Sequence, residues 1–296
     1  MTKILALVYH RKNSRMAIYL EHLFKEVRKE YEVKMVYADK NLLKDTISFV
    51  YYLLRFNPDL IYATPVSLPI LIISIINRFI LRRKSIVHHD DLLYLFHKDF
   101  SDHNQLYLWL MKFIEDRSLR CADYILVFNK YQKKLLESWG YKNTYIVSHG
   151  ADLELMKPID IKDLREDLGI EGSLTIGIVA YFGYAKKYDI VYGWDIVEAL
   201  RYLKDIPVKA ILIGEGEGLL RLKQKAKEYG VVDNVLFMGR VDYHELPRYY
   251  NLLDICLLTQ PDHPAARIRI TLKFPEYLAC GRFIITSSVG TPARIV

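Results

Sequence analysis

The sequence predicts an α/β protein made of two parallel sheets, each covered by helices. Short apolar runs of strand length alternate with longer helical patterns from one end to the other. The runs fall into two sets. Between them residues 150–171 carry Lys157-Pro158, alternating charges and Gly169, the make-up of a linker. Residues 1–157 and 158–296 are therefore expected as separate domains, and 296 residues at 51% apolar content suffice for two cores.

Lys3-Ile-Leu-Ala-Leu-Val8 opens the first set as a buried strand, and strands are expected near residues 33–37, 60–63, 85–88, 124–128 and 144–147. Residues 60–81 form the most apolar segment, with Arg78 as the only charge. Pro58-Asp59 opens it as a strand, and Pro65 and Pro69 interrupt it, leaving a helix of little more than ten residues rather than a membrane span. Arg82-Arg83-Lys84 follows. A basic cluster beside an apolar helix suits a bilayer surface, and it equally suits the carbonyl end of a buried helix. The second set predicts strands near 175–180, 209–213, 234–238, 255–259 and 283–286. Before the last of these, Lys273-Phe-Pro-Glu-Tyr-Leu-Ala-Cys-Gly281 predicts a short helix that starts at Pro275 and ends before Gly281.

Charge is unevenly placed. Residues 1–157 hold 24 Lys+Arg against 17 Asp+Glu, whereas 158–296 hold 18 against 18, so the whole net charge of +7 lies in the first half. A one-sided basic field concentrates anionic partners such as lipid headgroups, lipid-linked phosphates or nucleic acid. The three cysteines, Cys121, Cys256 and Cys280, sit in apolar runs and are odd in number, which fits free thiols in a reducing compartment. No charged leader with a cleavable apolar region precedes the first strand, so a cytoplasmic protein is expected.

In open α/β sheets ligands lie at the carboxyl ends of the strands. In the second domain that rule nominates Gly183 after the first strand, Gly214 and Gly216 after the second, Gly239 and Arg240 after the third, and Lys273 with Glu276 before the fifth. A cation and free N–H groups at a helix start suit a phosphate, and a carboxylate one position in can accept both hydroxyls of a ribose. Together they suit a nucleotide. The plain alternative is that Glu276 complements the helix dipole and Lys273 is solvated. Gly214-Glu-Gly-Glu-Gly218 is weak evidence alone, since a strand-to-helix turn needs glycine whether or not anything binds. A dinucleotide fingerprint would place such glycines at the first strand, so an oxidoreductase reading is poor. In the first domain His88-His89-Asp90-Asp91 follows the fourth strand, where a histidine can donate to a hydroxyl or phosphate and a carboxylate can accept from a hydroxyl; the plain alternative is capping or turn residues in a loop. His97, Asp99, Asp102 and His103 continue the polar stretch without zinc-ligand spacing, and no Asp-x-Asp metal motif falls where ligands are expected.

Gly239-Arg-Val-Asp-Tyr-His-Glu-Leu-Pro-Arg-Tyr-Tyr250, Asp254-Ile-Cys-Leu-Leu258, the Glu276 segment and Arg282-Phe-Ile-Ile-Thr286 resemble the donor domain of family 4 glycosyltransferases. Pro58-Asp-Leu-Ile61, His89-Asp90, Ala122-Asp-Tyr-Ile-Leu-Val127 and His149-Gly-Ala-Asp152 are similar to that family's N-terminal landmarks. The resemblance covers nearly the whole chain. It implies the GT-B fold, two Rossmann-like domains whose sheets face one another across a cleft, with the acceptor on residues 1–157 and a nucleotide sugar on 158–296. His89 and Asp90 become the expected catalytic residues. Gly183, Lys186, Lys187, Gly214, Gly216, Gly239, Arg240, Arg269, Lys273 and Glu276 become the expected donor-binding set, with no metal and no cofactor beyond the nucleotide-sugar substrate. The acceptor would be a glycan or a lipid-linked molecule, an anionic membrane surface is a further partner, at the inner face of the membrane, and nucleic acid is not expected.

The chain departs from the family at defined points. The usual Glu eight residues before Glu276 is Ile268, the usual Arg and Lys after the first donor strand fall on Tyr181 and Tyr192, and Tyr9-His-Arg-Lys-Asn-Ser14 replaces a glycine-rich turn. Lys186, Lys187, Arg267 and Arg269 are candidate replacements. A non-catalytic GT-B-like subunit is the second reading these departures suggest. Val289-Gly-Thr-Pro-Ala-Arg-Ile-Val296 resembles the turn and helix start after the fifth donor strand, so the closing helices of the donor domain are expected to be missing: either the sequence is a fragment, or the sheet is left partly uncovered and exposes an apolar patch.

Overall fold

The computed structural model describes residues 1–100, 103–186 and 189–295. The chain divides into two compact units, the first comprising Met1–Asp99, His103–Ser148 and Arg267–Ile270, the second the described residues of His149–Ala266 and Thr271–Val296. The division falls after Ser148 rather than after 157. The connecting stretch packs with the second unit, where the Asn251 amide donates to the Lys157 carbonyl at 2.9 Å and accepts the Ile159 N–H at 3.2 Å.

In the first unit β1 (Lys3–Val8), α1 (Arg15–Val27), β2 (Glu32–Tyr37), α2 (Leu42–Phe56), β3 (Leu60–Thr64), α3 (Leu68–Ile76), β4 (Lys84–His88), α4 (Leu93–Phe100), α5 (Gln105–Cys121), β5 (Tyr124–Val127), α6 (Lys130–Ser138) and β6 (Thr144–Ile146) follow in order. All six strands run parallel in the order β2-β1-β3-β4-β5-β6. Successive residues of β1 serve opposite faces, as strand geometry requires. Leu5 and Leu7 join Phe49 and Leu53 of α2 with Ile70 and Ile73 of α3, whereas Ile4, Ala6 and Val8 join Leu20 and Phe24 of α1. Short polar side chains start the long helices: Ser14, Asn41, Asn104 and Asn129 each accept a backbone N–H from the first turn of α1, α2, α5 and α6. A π-helical turn, Asn77–Leu81, extends α3. Among the described residues no helix is long and apolar enough to cross a membrane.

The second unit contains α7 (Lys162–Asp167), β7 (Leu174–Val179), β8 (Tyr184–Ala185), β9 (Ile190–Val191), α8 (Trp194–Ala199), β10 (Val208–Ile213), α9 (Leu219–Glu228), β11 (Val235–Gly239), α10 (Leu246–Leu252), β12 (Ile255–Leu258), α11 (Pro264–Ile268), α12 (Lys273–Ala279) and β13 (Phe283–Thr286). Its main sheet is parallel, in the order β11-β10-β7-β12-β13. β8 and β9 form a small antiparallel pair that two-residue strands gave no periodicity to predict. On β13, Phe283 and Ile285 turn one face to solvent. α12 begins at Lys273, two residues earlier than Pro275 suggested, and Pro275 lies within its first turn, where a missing N–H breaks no helical bond.

Candidate functional site

Strand order fixes where each unit can hold a ligand. In the first sheet the order reverses between β1 and β3, in the second between β7 and β12, and the crevice outside the carboxyl ends at such a point is the usual ligand position.

At the first of these points three strand ends converge on Asp90. Its Oδ1 accepts from the Thr64 hydroxyl at 3.1 Å, and the Nε2 of His10, just past β1, lies 3.7 Å from its Oδ2. Burial pushes the Asp90 carboxyl up, but His10, His88 and Thr64 outweigh it and hold the group below the usual carboxylate range. The carboxylate is thus ionised and only partly covered. Tyr19 stands nearby, its hydroxyl pushed up to about 12 by burial and then by Asp90. His88 is buried, with Nδ1 2.5 Å from the Tyr62 hydroxyl and Nε2 without a hydrogen-bond partner, and burial lowers its pKa.

His89 differs from the expectation. The Phe128 N–H reaches Oε1 of Gln132 at 3.1 Å, which fixes the amide and turns its NH2 toward His89 Nδ1 at 3.0 Å. Nδ1 must then be the acceptor, so Nε2 carries the proton and donates to Glu115 Oε1 at 2.8 Å. Both ring nitrogens are engaged in a fully buried network, and neither remains to meet a sugar. The same Gln132 NH2 also donates to the carbonyls of His89 and Asp90, each at 2.9 Å. In this structure His89 positions Asp90 and ties β4 to α5 and α6.

In the second unit Lys273 and Glu276 are both buried on α12. Tyr277 next to Glu276 accepts the Val179 N–H at 3.0 Å, so α12 is anchored at the carboxyl end of β7. The Tyr250 hydroxyl donates to Glu276 Oε2 at 2.6 Å, and the Tyr250 and Tyr277 rings meet edge to face. Lys273 Nζ lies 4.8 Å above the Tyr192 ring and 3.3 Å from its hydroxyl. Tyr192 stands where the resembled family has a cation, so its ring instead holds the cation that α12 supplies. A seven-residue helix has little dipole of its own, so the positive charge at its start is that of the Lys273 side chain.

The glycines divide into two kinds. A Cβ on Gly214 would come within 1.8 Å of the Ala180 carbonyl oxygen, and one on Gly216 within 2.4 Å of that of Phe182. Their missing side chains admit the protein's own loop, which the Phe182 N–H to Glu215 and Gly218 N–H to Phe182 bonds hold in place. This corrects their expected role as a cradle for a ligand. Gly239, at φ +69°, has nothing within 4 Å of such a Cβ, and Gly183 meets only Tyr181 and Glu217 side-chain atoms at 3.7 Å or more.

Lys186 is exposed near the β8–β9 pair, and Lys187 lies outside the described residues. Arg240 is exposed and 3.5 Å from Glu215. Arg269 clusters with the first unit, 3.6 Å from Asp91. Its neighbour Ile268 is buried in the apolar cluster of Leu119, Val127 and Leu136, and the Asn129 amide donates to its carbonyl. Sequence reasoning missed His10, Thr64, Glu115, Gln132 and Tyr250. The carboxyl-end rule would have found His10 and Thr64, whereas nothing local marks a mid-helix Glu115 or Tyr250.

Residues 160–296 match the family model described as Glycosyl transferases group 1. A search of curated protein sequences found no match. Among solved structures, sucrose-phosphate synthase from Thermosynechococcus elongatus is 18% identical with a TM-score of 0.74, covering 98% of this chain and 82% of its own. WaaG, a glycosyltransferase involved in lipopolysaccharide biosynthesis, gives 13% and 0.65, covering 99% and 82%. An E. coli trehalose-6-phosphate protein bound with UDP-2-fluoro glucose gives 10% and 0.64, covering 99% and 85%. At such identities the likeness is one of fold, and that fold is GT-B.

Proposed function

We propose, from a chain whose second half is a group 1 glycosyltransferase domain on a GT-B fold, that the protein moves a sugar from a nucleotide-sugar donor to a glycan or lipid-linked acceptor. The observation that carries this reading is the buried pair of Lys273 and Glu276 on α12, anchored beside the switch point of the matched domain. In the reaction the bond from the anomeric carbon to the diphosphate breaks, a bond to an acceptor hydroxyl oxygen forms, and the hydroxyl proton passes to the departing diphosphate. Lys273 meets the charge that develops on the leaving diphosphate, with Lys186 and Lys187 as further cations, so no metal is required in this account. Glu276, oriented by Tyr250, accepts the ribose hydroxyls. In the first unit the ionised Asp90 accepts a hydrogen bond from the acceptor hydroxyl, and His89 holds the backbone that carries it. Retention at the anomeric carbon follows from the resemblance to family 4. A cytoplasmic enzyme resting on the inner face of a membrane fits the basic first half.

The test is release of nucleoside diphosphate from a panel of sugar donors, with calorimetry of nucleoside diphosphate binding and the product anomer read by NMR. Lys273→Met should weaken diphosphate binding about 10- to 100-fold, the loss of one charge-assisted contact. No turnover with any donor, together with unchanged nucleotide affinity in Glu276→Gln, would sink the proposal. One observation favours the second reading, a non-catalytic subunit: Ile268 fills an apolar cluster where the resembled family carries a carboxylate. Micromolar nucleotide binding without turnover would select it.

A further inference from the structure

The first unit contains a second polar cavity, at the end of the sheet where strands begin. It measures about 320 Å³ and is lined by Asn77, Arg78, Arg82, Arg83, Cys121 and Asp123. β4 and β5 start directly after Arg83 and Asp123, so a five-residue strand, about 16 Å, separates this cavity from the Asp90 cluster. Its frame is built. The buried Asn77 amide donates to the Arg83 carbonyl at 2.8 Å and accepts the Arg83 N–H at 3.0 Å, which pins the turn that carries the arginines. Arg82 takes a left-handed conformation at φ +55° and returns its N–H to Asn77.

The charges do not cancel. Asp123 Oδ2 is already committed to Ser85, accepting its N–H at 2.9 Å and its hydroxyl at 3.1 Å. Arg83 donates to the neutral Asn57 amide oxygen at 2.8 Å. Among the described residues none of the three guanidinium groups has a carboxylate within ion-pair distance. Three cations thus line one cavity against a single carboxylate, one oxygen of which is engaged by Ser85, so the charge at the cavity is net positive and suits an anion, and planar guanidinium forks match the oxygens of a phosphate.

What surrounds the cavity indicates which phosphate. On the same turn Phe79 and Ile80 are 69% and 72% exposed. A site for a free ion would not need exposed apolar side chains beside it, whereas a membrane surface meets aromatic, aliphatic and basic groups together. We propose that this cavity seats the phosphate headgroup of an anionic phospholipid while Phe79 and Ile80, on the turn that carries the arginines, enter the acyl boundary. The proposal is independent of the sugar-transfer reading, because it uses none of the residues placed in that chemistry.

The experiment is co-sedimentation of the full chain with phosphatidylcholine vesicles with and without phosphatidylglycerol. Arg78→Gln with Arg82→Gln should weaken binding to the anionic vesicles about 30-fold, from about fivefold per basic group at such a surface. Arg78→Lys with Arg82→Lys keeps the charge but removes the forks. The cavity predicts at least a fivefold loss for that variant, whereas a diffuse basic surface predicts none and would overturn the proposal. Phe79→Ser with Ile80→Ser should also weaken binding. Equal affinity for neutral vesicles would refute the headgroup site. Calorimetric binding of inorganic phosphate, lost in the lysine variant but unaccompanied by vesicle binding, would assign the cavity to a soluble phosphate and overturn the membrane source.

Discussion

Replacing Gln132 by Met tests the network that fixes His89 and Asp90 without altering side-chain volume much. The wild-type amide makes four contacts from a fully buried position: its oxygen takes the Phe128 N–H, and its NH2 serves His89 Nδ1 and two carbonyls. Methionine satisfies none of them. A buried N–H without an acceptor costs about 1–3 kcal/mol, and the imidazole nitrogen adds a similar penalty, while carbonyls retaining a second lone pair add less. The expected loss is about 2–6 kcal/mol, and it should concentrate in the first unit. Native-state hydrogen exchange at the Phe128 and His89 amides reads it locally, and the urea midpoint reads it globally. In the wild type, nitrogen NMR should find Nδ1 unprotonated and Nε2 protonated; in the variant that tautomer preference should relax. Unchanged exchange at both amides, or a wild-type ring protonated at Nδ1, would refute the assignment of the network.

Gly216→Ala should destabilise the second unit by several kcal/mol, because φ is +152° and the new methyl meets a carbonyl oxygen, whereas Gly183→Ala should change the melting temperature little; equal effects would refute the distinction between the two glycines. Ile268→Glu, which installs the carboxylate of the resembled family, should lower first-unit stability by about 3 kcal/mol or more in chemical denaturation, since it buries a charge among apolar side chains. Because burial depresses the His88 pKa, the unfolded chain binds protons first, so stability should fall as pH drops below about 6.5, by at most about 1.4 kcal/mol per pH unit for this group. Asp90 has a depressed carboxyl, so its contribution is present above its unfolded value of about 3.9 and is lost as pH falls through the folded one; Asp90→Asn should remove that acid phase from the unfolding profile.

The strands were legible because each is a short apolar run ended by a turn residue, and all five expected in the second set and six in the first coincide with observed strands to within a residue or two at each end. The nomination of Asp90, Lys273 and Glu276 rested on the carboxyl-end rule and a helix signature together with the resemblance to family 4. What stayed illegible depends on contacts far apart in the chain. His89 sits in the expected place, but its ring is occupied by Glu115 and Gln132, 26 and 43 residues away. Arg269 lies between β12 and β13 of the second unit in sequence and still clusters with the first, a placement that local charge and spacing do not encode. Gly214 and Gly216 entered the donor-binding set through their place after a strand and the family resemblance, and only the position of the Ala180 to Phe182 backbone shows what their missing side chains accommodate.

The return of Arg267–Ile270 to the first unit sets a limit on dissecting this chain. A protein cut after Ser148 keeps every strand of the first sheet, yet it loses Ile268 from the cluster of Leu119, Val127 and Leu136 and leaves the Asn129 amide without its acceptor. The apolar void and the orphaned donor arise together, at the cap of α6, the helix that also carries Gln132. On the ribosome the same dependence becomes a matter of time: the first unit cannot close this corner until more than a hundred further residues have been made. Its early state is an open-cornered sheet that waits for four residues from the far side of another fold.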